Sequence, residues 1–304
     1  MPVLLSKPII VLDAPSNLGL RQLRDREPGV WQMPEALRKA GFVEGLGAID
    51  GGVVPRLPYA GEIDPESGVR NADALREYSL ALADAVGKTL DAEQFPLVLG
   101  GDCSILIGNM LALRRRGRHG LVFIDGHTDF LNAITSYTKA AAGMDLALVT
   151  GRGHDKLTSF DGSKPLVPEE DVLALGFRDV EDPATYVASE LFETDILCYS
   201  LDDVRKTGIQ RAVNAALEHF RLNGVNGFWI HVDADVLDNE IMPAVDSPQP
   251  GGLRYDELIE PLRLLLGSGF AVGMEVTIFD PDLDPDGRIA GEIVRALAAS
   301  FSEA

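Results

Sequence analysis

The sequence predicts an α/β protein of three layers, αβα, with a mostly parallel central sheet, forming a single domain over residues 1–304. Three observations predict it. Short apolar runs recur along the chain and alternate with stretches of helical periodicity. The runs are continuous rather than alternating, as in strands covered on both faces. No repeat, low-complexity tract or linker-like segment breaks the series.

Taken in order, Pro8–Leu12 is the first strand, and the Gly/Pro-rich stretch Gly41–Gly68 reads as a loop. Asn71–Leu90 reads as a helix because Leu75, Tyr78, Leu82 and Val86 share one face. Pro96–Leu99 and Leu121–Ile124 are strands, and Gly151–Glu170 is a second loop. Strands Val172–Gly176 and Ile196–Leu201 precede a helix over Gln210–Leu222, whose face carries Val213, Leu217 and Phe220. Strand Gly227–Val232, helix Tyr255–Leu266, strand Val272–Ile278, loop Asp280–Gly287 and helix Ile289–Phe301 complete the series.

With 27 Lys+Arg against 47 Asp+Glu the net charge is −20, which argues against nucleic acid and anionic membranes as partners. The densest basic run, Arg114-Arg115-Arg116 with Arg118, reads as a helix C-terminus. No stretch of 18 apolar residues suggests a membrane span. The first residues lack a basic segment and a cleavage site, and Cys103 and Cys198 are the only cysteines. The expectation is a cytoplasmic protein, with Cys198 in the core.

Ligands of such sheets lie beyond the carboxyl ends of the strands. Four strand ends carry unusual residues: Gly100-Gly101-Asp102-Cys103-Ser104, Asp125-Gly126-His127-Thr128-Asp129, Asp233-Ala234-Asp235 with Asp238, and Glu275 within Met274-Glu275-Val276. In extended chain, Asp125, His127 and Asp129 point one way, as do Asp233 and Asp235. Four such carboxylates would repel one another, and two divalent cations would balance them. Carboxylate and imidazole donors suit Mn²⁺ or a similar metal. His231 falls on the same side as Asp233 if the strand is extended, and the expectation is a packed histidine.

At these residues the chain resembles the arginase/agmatinase (ureohydrolase) family. The family's Gly-Gly-Asp-His-Ser, Asp-Ala-His-x-Asp, Asp-x-Asp-x-x-Asp, Pro-Gly-Gly and Met-Glu-Val segments correspond to residues 100–104, 125–129, 233–238, 250–252 and 274–276. Matching segments run from about Pro96 to Ala290. The resemblance implies a binuclear Mn²⁺ centre that hydrolyses a guanidino group to urea and an amine. It implies that Asp125 and Asp233 bridge the metals, that Asp129 and Cys103 complete one site, and that His127 and Asp235 complete the other. It gives Glu275 the substrate's guanidinium and Asp129 the proton passed to the leaving amine, and it suggests a homotrimer or hexamer.

Three departures shape the expectation. Cys103 stands where the family has a ligand histidine, which disfavours Mn²⁺ and favours softer metals or a weakened site. Ala142-Gly143 stands where arginases carry a His-Gly proton shuttle. Leu131 replaces an Asn of the substrate contacts, leaving Asn132, Thr138 and Glu181 as candidates for the amino-acid end. A guanidino substrate such as arginine, N-hydroxyarginine or a guanidino acid follows. The alternatives are a formiminoglutamase-type hydrolase and a metal-poor pseudoenzyme acting as a binding protein. The acidic run Asp282-x-Asp284-x-Asp286-Gly287 mimics a calcium loop but lacks its closing Glu, since Ile293 stands at that position.

Overall fold

The structure is a computed structural model that describes residues 5–23, 26–179 and 188–302. Eight strands form one sheet in the order β2-β1-β3-β8-β7-β4-β5-β6. They are β1 (Ile9–Ala14), β2 (Ile49–Val53), β3 (Phe95–Gly100), β4 (Gly120–Ile124), β5 (Val172–Leu175), β6 (Leu197–Tyr199), β7 (Phe228–Asp233) and β8 (Ala271–Thr277). Every pairing is parallel.

Side chains alternate between two cores, one on each face of the sheet. Val11, Leu97, Leu99, Val122, Ile230, Val232, Met274 and Val276 enter one core, with helices Met33–Lys39, Ile209–Leu222, Tyr255–Gly267 and Arg288–Ser300. Ile10, Leu12, Val98, Leu121, Phe123 and Trp229 enter the other, with helices Ala72–Asp91 and Leu106–Arg114. This is the three-layer arrangement that the sequence predicts, and the four long helices lie within a residue or so of their expected bounds.

Short helices Met33–Lys39, Phe42–Leu46, Asp155–Thr158 and Leu201–Thr207 were not expected, and two further elements differ for instructive reasons. β2 lies inside the stretch read as loop. It is an exposed edge strand, and its glycines hid it: a Cβ on Gly51 would lie 2.5 Å from Cγ2 of Ile10. Helix Leu106–Arg114 has no amphipathic period because all but its last residue are buried. Cys198, placed in the core by the sequence reading, is half-buried.

The surface charges have local employment. Arg115 pairs with Asp84 and Asp161, Arg116 with Asp91, and Arg118 with Asp171 and Glu170. In the calcium-like run, Asp284 accepts from the amides of Ile289 and Ala290, capping the last helix. Among the described residues no helix is long and apolar enough to cross a membrane.

The β3 end is wedged against the chain following β1. A Cβ on Gly101 would lie 1.7 Å from the Ser16 carbonyl oxygen, while Ser16 Oγ donates to Asp102 Oδ2 at 2.8 Å. Asp102 Oδ1 in turn accepts from the Ser104 amide at 2.9 Å and starts the turn that carries Cys103. Gly101→Ala is therefore expected to destabilise the fold by about 3 kcal/mol, the upper range for forced overpacking. Urea denaturation measures it, and an unchanged midpoint would show that the backbone contact is easily relieved.

Candidate metal centre

The site lies at the carboxyl ends of β3, β8, β7 and β4, the middle of the sheet. Each acidic motif folds on itself there rather than running extended. Asp125 Oδ1 accepts from the His127 amide at 2.7 Å, and Asp233 Oδ1 from the Asp235 amide at 2.6 Å. The motif residues thus converge because the first carboxylate caps a tight turn, a different cause from strand alternation.

Two donor groups result. In one, ligand atoms of Cys103, Asp125, His231 and Asp233 all lie within 4.8 Å of one another; in the other, those of Asp125, His127 and Asp235 do. Asp125 belongs to both. Cys103 Sγ donates to Asp233 Oδ2 at 2.7 Å and lies 3.3 Å from Thr277 Oγ1. His127 Nδ1 is 2.9 Å from Asp235 Oδ2 and 3.7 Å from Asp125 Oδ1. Asp129, grouped with Cys103 in the sequence reading, falls in neither group. Its backbone sits in the left-handed region at φ 40°, a conformation that costs a non-glycine residue roughly 1 kcal/mol.

A third side chain, His231, comes from β7. Register pairs Phe123 of β4 with His231 and His231 with Glu275 of β8. The ring stacks on Phe123 at 4.6 Å and 6°, and its Nδ1 lies 2.9 Å from Glu275 Oε1. Asn109 Nδ2 donates to the other oxygen, Oε2. Glu275, expected to hold a guanidinium, is wholly buried, with Oε1 beside His231 Nδ1 and Oε2 accepting from Asn109.

The remaining substrate candidates are engaged locally. Asn132 Oδ1 accepts from the amides of Ile134 and Thr135, and Thr138 Oγ1 meets Ser136 Oγ and the Ala140 amide. Glu181 lies outside the described residues. Its neighbour Arg178 clamps the loop after β7 by donating to the carbonyls of Asp235 and Gln249 at 2.9 and 3.1 Å.

Electrostatically the site is an acid cluster short of positive charge. Burial, then mutual repulsion, raises the carboxyl of Asp233 well above the usual range and that of Asp125 above it. The same causes push Asp129 well up. Asp235 goes the other way: burial opposes its charge, but the His127 ion pair holds it down. Burial likewise opposes charge on His127, yet Asp235 and Asp125 raise it to about 10. Burial first, then Asp233 and Asp145, pushes the Cys103 thiol well up.

Two further polar residues escaped the sequence reading. Asp145 is fully buried, with Oδ1 on the Leu146 amide and Oδ2 unpartnered, and burial pushes its carboxyl well up. Asn109 sits inside a buried helix. The available signal was the same for both: one polar residue in an otherwise apolar run.

A divalent cation fits these residues. Asp125 Oδ2 and His231 Nε2, 3.8 Å apart, are buried with no hydrogen-bond partner, and buried polar atoms left bare are costly. A cation would satisfy them and offset the repulsion. The donors are oxygen and nitrogen with one sulfur, a set open to several first-row metals.

The model of the "Arginase family" matches residues 8–302. The arginase of Bacillus caldovelox is 30% identical, with 98% of this chain and 99% of that protein covered. Its solved structure superposes with a TM-score of 0.88, again at 30% identity and covering 98% and 99% of the two chains. The arginase structure from Bacillus cereus gives 0.85 at 27% identity, covering 98% and 99%. Parallel sheet, acids at its central strand ends and a match over nearly the full length agree, and the chain belongs to the arginase family, a hydrolase of amidino C–N bonds.

Proposed function

We propose that the chain releases urea, or a substituted urea, from a small guanidino compound, using two divalent cations held by the two donor groups. The observation that carries this reading is the pair of groups sharing Asp125, each containing an unpartnered buried donor atom. Asp125, Asp233 and Cys103 would hold one ion, and Asp125, His127 and Asp235 the other. Mn²⁺ is the cation the resemblance favours, with Cys103 widening the choice. A bound divalent cation brings the pKa of water toward neutrality, so a nucleophile is available at pH 7.

The chain's own residues supply the rest. A guanidinium is a permanent planar cation, and the acid cluster attracts it. Burial removes bulk water and strengthens that attraction. Asp129, its carboxyl pushed up by burial and by Asp125, is placed to pass a proton to the departing amine. Ala142 has no titratable group and cannot pass a proton. With Asn132 Oδ1 and Thr138 Oγ1 engaged within their own loop, N-hydroxyarginine and guanidino acids stand beside L-arginine as substrates of this reading. The reading places the enzyme in the cytoplasm as a homo-oligomer, trimeric or hexameric.

Purified protein with added Mn²⁺ or Co²⁺, assayed against a panel of guanidino compounds, is expected to form urea or hydroxyurea from at least one. Formamide from a formimino substrate would redirect the assignment to the second hydrolase class. No turnover with two ions bound per chain would overturn it.

A further inference from the structure

We propose that His231 Nε2 is an imidazole ligand of the cation held by Asp125, Asp233 and Cys103, and that Glu275 is the positioning residue that aims it. The inference rests on the reading of this site as a metal centre. It adds a ligand that the sequence motifs do not contain.

The argument begins with the ring's orientation. Nδ1 lies 2.9 Å from Glu275 Oε1, and a carboxylate can only accept, so the proton is on Nδ1. In the neutral ring, the form that can ligate a metal, that leaves the lone pair on Nε2. Carboxylate, imidazole and metal in line is a recurrent arrangement in metalloproteins, in which the carboxylate fixes the tautomer and raises the donor's basicity. The ring cannot swing away, because Phe123 stacks on it at 4.6 Å and Asn109 holds the far oxygen of Glu275.

The second step is what Nε2 faces. His231 is wholly buried and Nε2 has no partner. Asp125 Oδ2, also buried and unpartnered, lies 3.8 Å away. That gap is too wide for a hydrogen bond. It is short enough for one cation to touch both atoms at about 2.1 Å each. A histidine that merely packed against carboxylates would close onto Asp125. This one stops short, with two bare donors facing a shared space.

The placement also accounts for Cys103. The imidazole missing from the β3 end is replaced by one from β7, two residues before Asp233 and on the same face of the sheet. The group keeps a nitrogen donor although its position in the chain has moved.

The test is metal binding and structure, independent of turnover. A crystal of the wild-type chain loaded with Co²⁺ is expected to show anomalous density within about 2.2 Å of His231 Nε2. Metal-stripped protein reloaded with Co²⁺ is expected to bind two equivalents in the wild type. In His231→Ala one equivalent weakens by at least about 100-fold, beyond the effect of losing an orienting partner. In Glu275→Gln it weakens by about tenfold. The double variant Cys103→His with His231→Ala is expected to recover the lost equivalent, which a purely structural role for His231 would not produce. An ion at Asp233 with His231 Nε2 outside bonding distance would overturn the inference, as would two equivalents bound by His231→Ala at wild-type affinity. If His231→Ala does not fold, the wild-type crystal decides. A wild-type chain that binds no cation would instead sink the reading of the whole site.

Discussion

Asp125→Asn is expected to abolish urea release, with a loss of at least about 10³-fold, or ~4 kcal/mol in the barrier. The size follows from geometry. Among the described residues Asp125 is the one present in both donor groups, so its charge would serve both proposed cations. Asparagine keeps one neutral oxygen and removes the charge, and a polarised water needs the ions in place. Metal analysis should show both equivalents weakened, whereas Asp235→Asn should weaken only the group containing His127. Circular dichroism should stay native, because among the described residues the Asp125 carboxylate accepts a single hydrogen bond, from the His127 amide of its own turn, which asparagine can keep. Undiminished turnover with Asn at 125 would falsify the assignment of this carboxylate to the centre.

Stripping the metal with EDTA is expected to lower thermal stability and to invert its pH dependence. Asp125, Asp129, Asp145 and Asp233 all have folded values above 3.8. The folded state therefore binds more protons than the unfolded chain, and stability falls as pH rises from about 4 through those raised values. His127 adds the same sign at higher pH, its contribution fading between 6.5 and about 10. Asp235, held down by His127, acts oppositely and only below 3.8. Metal-free protein should thus melt at a higher temperature near pH 5 than near pH 8. Added cation reverses the order, since it binds the deprotonated carboxylates. At a hundredfold excess over Kd the gain is ~2.7 kcal/mol, or about 5 °C for a chain of this size. Identical melting curves with and without metal at pH 8 would count against cation binding in the cluster.

These results also mark what sequence reading reaches. Continuous apolar runs exposed the central strands, because a parallel strand buried on both faces has no polar side to dilute it. β2 did not show, since glycines at 51 and 52 leave almost no hydrophobic signal on an edge strand. Asp125, His127, Asp233 and Asp235 were visible as polar residues halting apolar runs. Their convergence was visible too, although the expected cause, extended alternation, gave way to capped turns. The role of His231 was not legible. It depends on the register of β4, β7 and β8, which sets Phe123 on one side of the ring and Glu275 on the other. Glu275 was found and its neighbours were not: that its Oε1 lies beside a histidine on the adjacent strand could not be read from the chain. Asp145 and Asn109 needed the third dimension in the same way.

The sheet order has a bearing on how the molecule is made. β8 leaves the ribosome last of the eight strands, yet it lies between β3 and β7. Until it inserts, the nascent chain holds two unjoined half-sheets, with Cys103 on one and Asp125, His231 and Asp233 on the other. The group containing Cys103 can close only once β8 has joined the halves, whereas Asp125, His127 and Asp235 already share one half, so a product truncated before β8 would keep one donor group and lack the seam and the other.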